Sequence, residues 1–147
     1  MRTIALSVLG VNLLLAASLL AADVDTPYVR IAKTATYISA GDTVGALEAF
    51  DKSLTNYGKI AEDLTALSAQ ADVLCAIEVV SDKEADDAKA DIHHLDLDWY
   101  MTLTSRADTG LTEKRRVRVA VTIQRFNAKW RITALSPDSI LAPITIK

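Results

Sequence analysis

The sequence predicts an α+β domain, with three N-terminal helices packed on a strongly curved antiparallel sheet of about four strands. Two observations predict it. The apolar period changes from about 3.6 to 2 near residue 70. The strand registers implied by the turns also keep apolar residues opposite apolar ones throughout. The length of 147 residues allows one domain and leaves little room for a second.

The first element is an address rather than part of the fold. Residues 4–22 read IALSVLGVNLLLAASLLAA without a charge, follow Arg2, and end in Ala21-Ala22 before Asp23. This is the layout of a secretory signal peptide over residues 1–22, leaving a single domain over 23–147. Leu20 stands where a small residue would suit cleavage better, so the exact bond stays open. The run of 19 residues is also close to the roughly 20 that span a bilayer, so a retained N-terminal anchor is the alternative. Gly10, Asn12 and the Ala-rich end favour cleavage. On either reading the folded part is exported, periplasmic or secreted, and it touches a membrane only if the segment stays. Loss of Arg2 takes the net charge from -3 to -4.

Thr26-Pro27 opens the first helix, a capping hydroxyl followed by a residue that needs no N–H partner. Tyr28, Ile31, Ala35 and Ile38 follow at helical spacing until Gly41. Asp42 caps a second helix carrying Val44, Leu47 and Phe50, and a third places Ile60, Leu64 and Leu67 on one stripe. The first strand then aligns Val73, Cys75, Ile77 and Val79. The second puts His93, Leu95, Leu97, Trp99, Met101 and Leu103 on the oily face. The third offers Val117, Val119, Val121 and Ile123 inward, and a two-residue turn at Asn127-Ala128 leads to Trp130, Ile132 and Ala134. A turn near residues 108–110 pairs Trp99 with Val117 and Asp98 with Arg118. The second turn sets Ile123 against Ile132.

Little of this pattern carries chemistry. A net charge of -3 opposes a nucleic-acid role, and the basic run Lys114-Arg115-Arg116 lacks neighbouring aromatic platforms, so it reads as a solvated patch. Cys75 is the only cysteine and sits among aliphatic residues, so it is expected to be a core hydrophobe. Adjacent His93 and His94 point to opposite faces of a strand and cannot chelate one metal together. The row His94, Asp96, Asp98 is explained by ion pairs with Arg116 and Arg118, so no metal and no cofactor is expected. The acidic stretch 82–91 reads as a mobile hairpin loop without a calcium-loop glycine.

The joint Ile38-Ser39-Ala40-Gly41-Asp42 through Ala46-Leu47-Glu48-Ala49-Phe50, and the closing hairpin with Trp130-Arg131-Ile132, resemble the nuclear-transport-factor-2-like superfamily. The resemblance covers most of residues 25–136. It implies a cone-like, cystatin-like fold wrapped around a pocket, and pairing of two copies through the outer sheet face. Its isomerase branch uses a carboxylate after the second helix and a tyrosine on the first. Here Asp51-Lys52-Ser53-Leu54 stands at the former position and Thr34 at the latter, so isomerase chemistry is not implied. The pocket lining is then expected from Tyr28, Ile31, Phe50, His93, Leu95, Trp99, Val119 and Trp130. That hydrocarbon lining points to a non-catalytic domain that binds an apolar small molecule or serves as a dimeric accessory module. The alternative is a small-molecule enzyme of the cyclase, isomerase or hydrolase type, with His93 or a tyrosine carrying the proton.

Overall fold

A computed structural model describes residues 24–108 and 110–145. The leader read over 1–22 lies outside the described residues, as does Thr109 at the tip of one turn. Among the described residues, no helix is long and apolar enough to cross a membrane.

Helix α1 (Pro27–Ser39) starts where Thr26 Oγ1 accepts the Val29 N–H at 3.1 Å. It buries Ile31, Thr34, Ala35 and Ile38. Gly41 then turns the chain at φ +71°, a conformation that costs a side-chain-bearing residue dearly. Asp42 caps α2 (Thr43–Leu47) by accepting the Gly45 N–H at 2.8 Å. This helix is only 5 residues long, which corrects the expected apolar face: Val44 is 75% exposed and Phe50 lies beyond the helix end. Phe50 is buried instead through a parallel bridge to Ile132. Helix α3 (Tyr57–Gln70) buries Ile60, Leu64 and Leu67 as its spacing predicts.

Four antiparallel strands follow in the order β1 (Ala71–Asp82), β2 (Ile92–Ser105), β3 (Thr112–Phe126) and β4 (Lys129–Ser136). The expected pairs Trp99 with Val117, Asp98 with Arg118, and Ile123 with Ile132 are all present. One face of β4 departs from the expected alternation. A register shift at Thr122/Ile123 leaves Thr133 without a partner, so Leu135 rather than Ala134 turns inward.

The helices cover the inner face, where Leu97, Trp99, Met101, Leu103, Val119, Ile123 and Ile132 are fully buried. The chain after β4 adds Ile140 and Leu141 to this core. Arg115 holds that tail in place, donating to the carbonyls of Ile140 at 3.0 Å and of Ala142. Its side chain is mostly buried, so it is a tail clamp and not part of a solvated patch.

Candidate functional site

Two places gather polar chemistry. The first is a surface cavity of about 620 Å³ between α2, the start of α3 and the start of β4. Backbone pairing builds it: Asp51 N–H donates to Ile132 O at 2.9 Å and Ile132 N–H to Ala49 O at 2.7 Å. These bonds hold residues 49–51 against the edge of β4 and cover that edge locally. Alternation along β4 sends Trp130 into the core and leaves Lys129 and Arg131 on the cavity side. Val44, Leu47, Phe50 and Tyr57 supply apolar walls. Arg30, Lys52, Lys129 and Arg131 supply positive charge, against Glu48 and Asp51.

The Asp51 carboxyl is held below the usual carboxylate range, first by the Ser53 hydroxyl and then by the Ser53 N–H at 2.9 Å. Its contact with Arg131 is loose, at 3.8 Å. Arg30 is pinned from the other side by Asp25 at 2.7 Å, and Asp25 also accepts the Trp130 N–H at 2.8 Å. The buried Nε of Arg30 and Oδ1 of Asp25 have no hydrogen-bond partner among the described residues.

The second place joins α1 to the β1–β2 hairpin. Asp82 accepts from the Tyr28 hydroxyl at 2.6 Å, His93 Nδ1 at 2.8 Å and the Glu84 N–H at 3.0 Å. Burial pushes the Asp82 carboxyl up. The bonds from Tyr28, His93 and the Glu84 N–H outweigh it, so the net displacement is downward and the group stays ionised. An ionised carboxylate only accepts, so His93 donates through Nδ1. The same bond raises the Tyr28 hydroxyl above its ordinary value. Beside this chain, Glu84 accepts from His94 Nδ1 at 2.6 Å. The expected mobile loop is therefore anchored at its start by Asp82 and Glu84.

One ligand atom each from Asp82, Glu84 and His93 lies within 4.8 Å of the others, the spacing of a metal site. Asp82 and His93 bond each other, and the Glu84 carboxylate bonds His94. The row His94, Asp96, Asp98 is dispersed among separate partners: Glu84 for His94, Ser81 at 2.8 Å for Asp96, and Arg116 at 2.6 Å for Asp98.

Of the eight residues expected to line a pocket, only Phe50 reaches the cavity. Ile31, Leu95, Trp99 and Val119 fill the interior, at 2% exposure or less. Trp130 is buried and meets His93 edge to face, with centroids 5.2 Å apart. Tyr28 is half-exposed and gives its hydroxyl to Asp82. Cys75 is buried, accepts the Trp99 Nε1–H at 3.2 Å, and has its thiol pushed up to about 12 by burial.

The architecture has solved counterparts. No protein-family model and no curated protein matches the sequence. A nuclear transport factor 2-like superfamily protein from Salmonella enterica serovar Typhimurium superposes with a TM-score of 0.54 at 14% identity, over 81% of this chain and 89% of that one. The chain has the nuclear-transport-factor-2-like fold. A conserved protein from Planctomyces limnophilus superposes on the same fold with a TM-score of 0.64 at 5% identity, covering 74% of this chain and 88% of that one. A third counterpart, from Novosphingobium aromaticivorans, is described as a candidate aromatic ring hydroxylase; its TM-score is 0.57 at 12% identity, over 78% and 92% of the two chains. At these identities the likeness establishes the fold alone.

Proposed function

We propose that this chain is an exported, non-catalytic domain that binds a small molecule in the cavity between α2 and β4. The observation that carries the reading is the cavity itself. Its 620 Å³ falls within the roughly 300–1,000 Å³ of small-molecule sites, and six charged side chains line it beside the apolar or aromatic Val44, Leu47, Phe50 and Tyr57. The ligand on this reading sits beside Phe50, the one expected lining residue that reaches this cavity. The apolar body of the ligand rests on Leu47, Phe50 and Tyr57.

An enzyme reading has one observation in its favour, the Tyr28–Asp82–His93 chain, in which a carboxylate orients His93 through Nδ1. His93 does not line the cavity, so a substrate bound there does not meet that histidine. Pairing of two copies through the outer sheet face is part of the proposal. That face presents Leu74, which is 65% exposed, together with the Asp98–Arg116 pair.

Amide chemical shifts during titration with 1-anilinonaphthalene-8-sulfonate test the cavity. Changes clustered at residues 44–57 and 129–131, abolished by Val44→Trp at the exposed rim, support binding there. Changes confined to the outer sheet face, or none at saturation, refute it.

A further inference from the structure

The cavity has a sign. Four cationic side chains line it against two carboxylates, on a protein whose net charge is -3. Counting Asp25, the partner of Arg30, still leaves the lining one charge positive. The two carboxylates are not arranged to neutralise the cations. Asp51 is turned to Ser53 of its own loop and stands 3.8 Å from Arg131. Glu48 is exposed and forms no ion pair among the described residues. Lys52 and Lys129 likewise have no side-chain ion pair or hydrogen bond among the described residues. Arg30 is the built part of this wall. Its side chain is 13% exposed and fixed by Asp25, and its Nε–H has no acceptor among the described residues. That donor is buried, so Arg30 acts on the cavity through its charge rather than through a bond from Nε.

We infer that the ligand of this cavity is an organic anion: a carboxylate, sulfonate or phosphate carried on an apolar or aromatic body. The inference deepens the ligand-binding reading and rests on it. The body packs on Leu47, Phe50 and Tyr57. The acidic group faces Lys129 and Arg131, which the alternation of β4 places on one side with Trp130 turned away. Arg131 is suited to a planar oxyanion because its guanidinium can donate two parallel bonds. Arg30 adds fixed positive charge at the base of the wall without leaving Asp25. Nothing in this arrangement favours a cation, since Asp51 is occupied and Glu48 points to water.

A pair of probes with one skeleton separates the inference from the reading beneath it. 1-Anilinonaphthalene-8-sulfonate and N-phenyl-1-naphthylamine differ by the sulfonate alone. Fluorescence titrations of the whole folded chain compare them for the native sequence, for Lys129→Gln, for Arg131→Gln and for the rim-blocking Val44→Trp. The expected result is that the sulfonate binds at least about tenfold more tightly than the uncharged probe. Either glutamine variant then reduces that preference severalfold, high salt does the same, and binding of the uncharged probe is unchanged. Both substituted side chains are solvent-accessible, and circular dichroism melts confirm that the variants fold. Equal affinity of the two probes, both blocked by Val44→Trp, overturns the anion inference while leaving the cavity as a binding site. Failure of both probes to bind, or binding that Val44→Trp does not affect, overturns the cavity reading itself.

Discussion

Asp82 is the point where α1, the β1–β2 hairpin and β2 are tied by one side chain, so replacing it with asparagine has a consequence that can be worked out. Three donors converge on its carboxylate: the Tyr28 hydroxyl at 2.6 Å, His93 Nδ1 at 2.8 Å and the Glu84 N–H at 3.0 Å. Its side chain is 3% exposed and that of His93 is 8% exposed, so water does not replace the bond from His93, whereas the half-exposed Tyr28 hydroxyl can turn to water. Asparagine keeps the shape and one accepting oxygen but removes the charge and turns an amide N–H₂ toward a donor. Hydrogen bonds to charged groups contribute about 1.5–3 kcal/mol net, roughly twice the neutral value. Losing the charge assistance on two of them, with Tyr28 rescued by water, puts Asp82→Asn at about 2 kcal/mol at pH 7. The native carboxyl titrates below its unfolded value, so its contribution is complete above the unfolded pKa of about 3.9 and is lost as pH falls through the lower folded value. Urea melts of both proteins should therefore show a gap that is constant from pH 7 to 5 and closes at lower pH. A gap below about 0.5 kcal/mol at pH 7, or one that persists undiminished in acid, would refute the reasoning.

The remaining predictions concern packing and the thiol. Trp99 is wholly buried, so Trp99→Ala should cost about 3–5 kcal/mol in urea melts, while Thr102→Ala on the outer face stays within about 0.5 kcal/mol. Equal effects would invert the face assignment. A Cβ at Gly45 would meet the Tyr37 ring at 2.6 Å, so Gly45→Ala should destabilise by about 1–3 kcal/mol although alanine favours helix; Tyr37→Leu should relieve part of that loss. With its thiol pushed up to about 12 and buried, Cys75 should react with iodoacetamide only at the rate of unfolding. Rapid labelling of the native protein would contradict this.

The strands were legible because a period of 2 leaves few alternatives. Once the turns were placed, Trp99 opposite Val117 and Ile123 opposite Ile132 followed from keeping one face apolar. Ala134 failed for a local reason, since a bulge adds one residue and reverses the faces beyond it, and composition does not mark where that happens. Val44 failed because three apolar residues at spacing 3 were read as a helix, whereas α2 ends at Leu47 and Phe50 is buried by its bridge to β4. Asp82 carried a signal that was passed over. It ends a strand and lies beside the position of His93, so a buried histidine there required a partner within reach.

The candidate site was the least legible part. Arg30, Phe50, Tyr57 and Arg131 come from four separate segments of the chain. The pairing of residues 49–51 with Ile132 and the Asp25 link from Arg30 to Trp130 bring them together, and no periodicity encodes contacts of that kind. The expected interior pocket was legible as hydrocarbon but not as filled or empty. That depends on the sizes of Trp99, Leu95 and Ile31 against one another, which a pattern of polar and apolar letters does not contain.

Binding of an organic anion between α2 and β4 is tested most directly by a crystal structure of the chain grown with saturating 1-anilinonaphthalene-8-sulfonate. The expected density places the ring system against Phe50 and Tyr57, with sulfonate oxygens roughly 3 Å from Lys129 and Arg131. An ordered structure in which this cavity is empty and the probe has displaced side chains around Trp99 would contradict it.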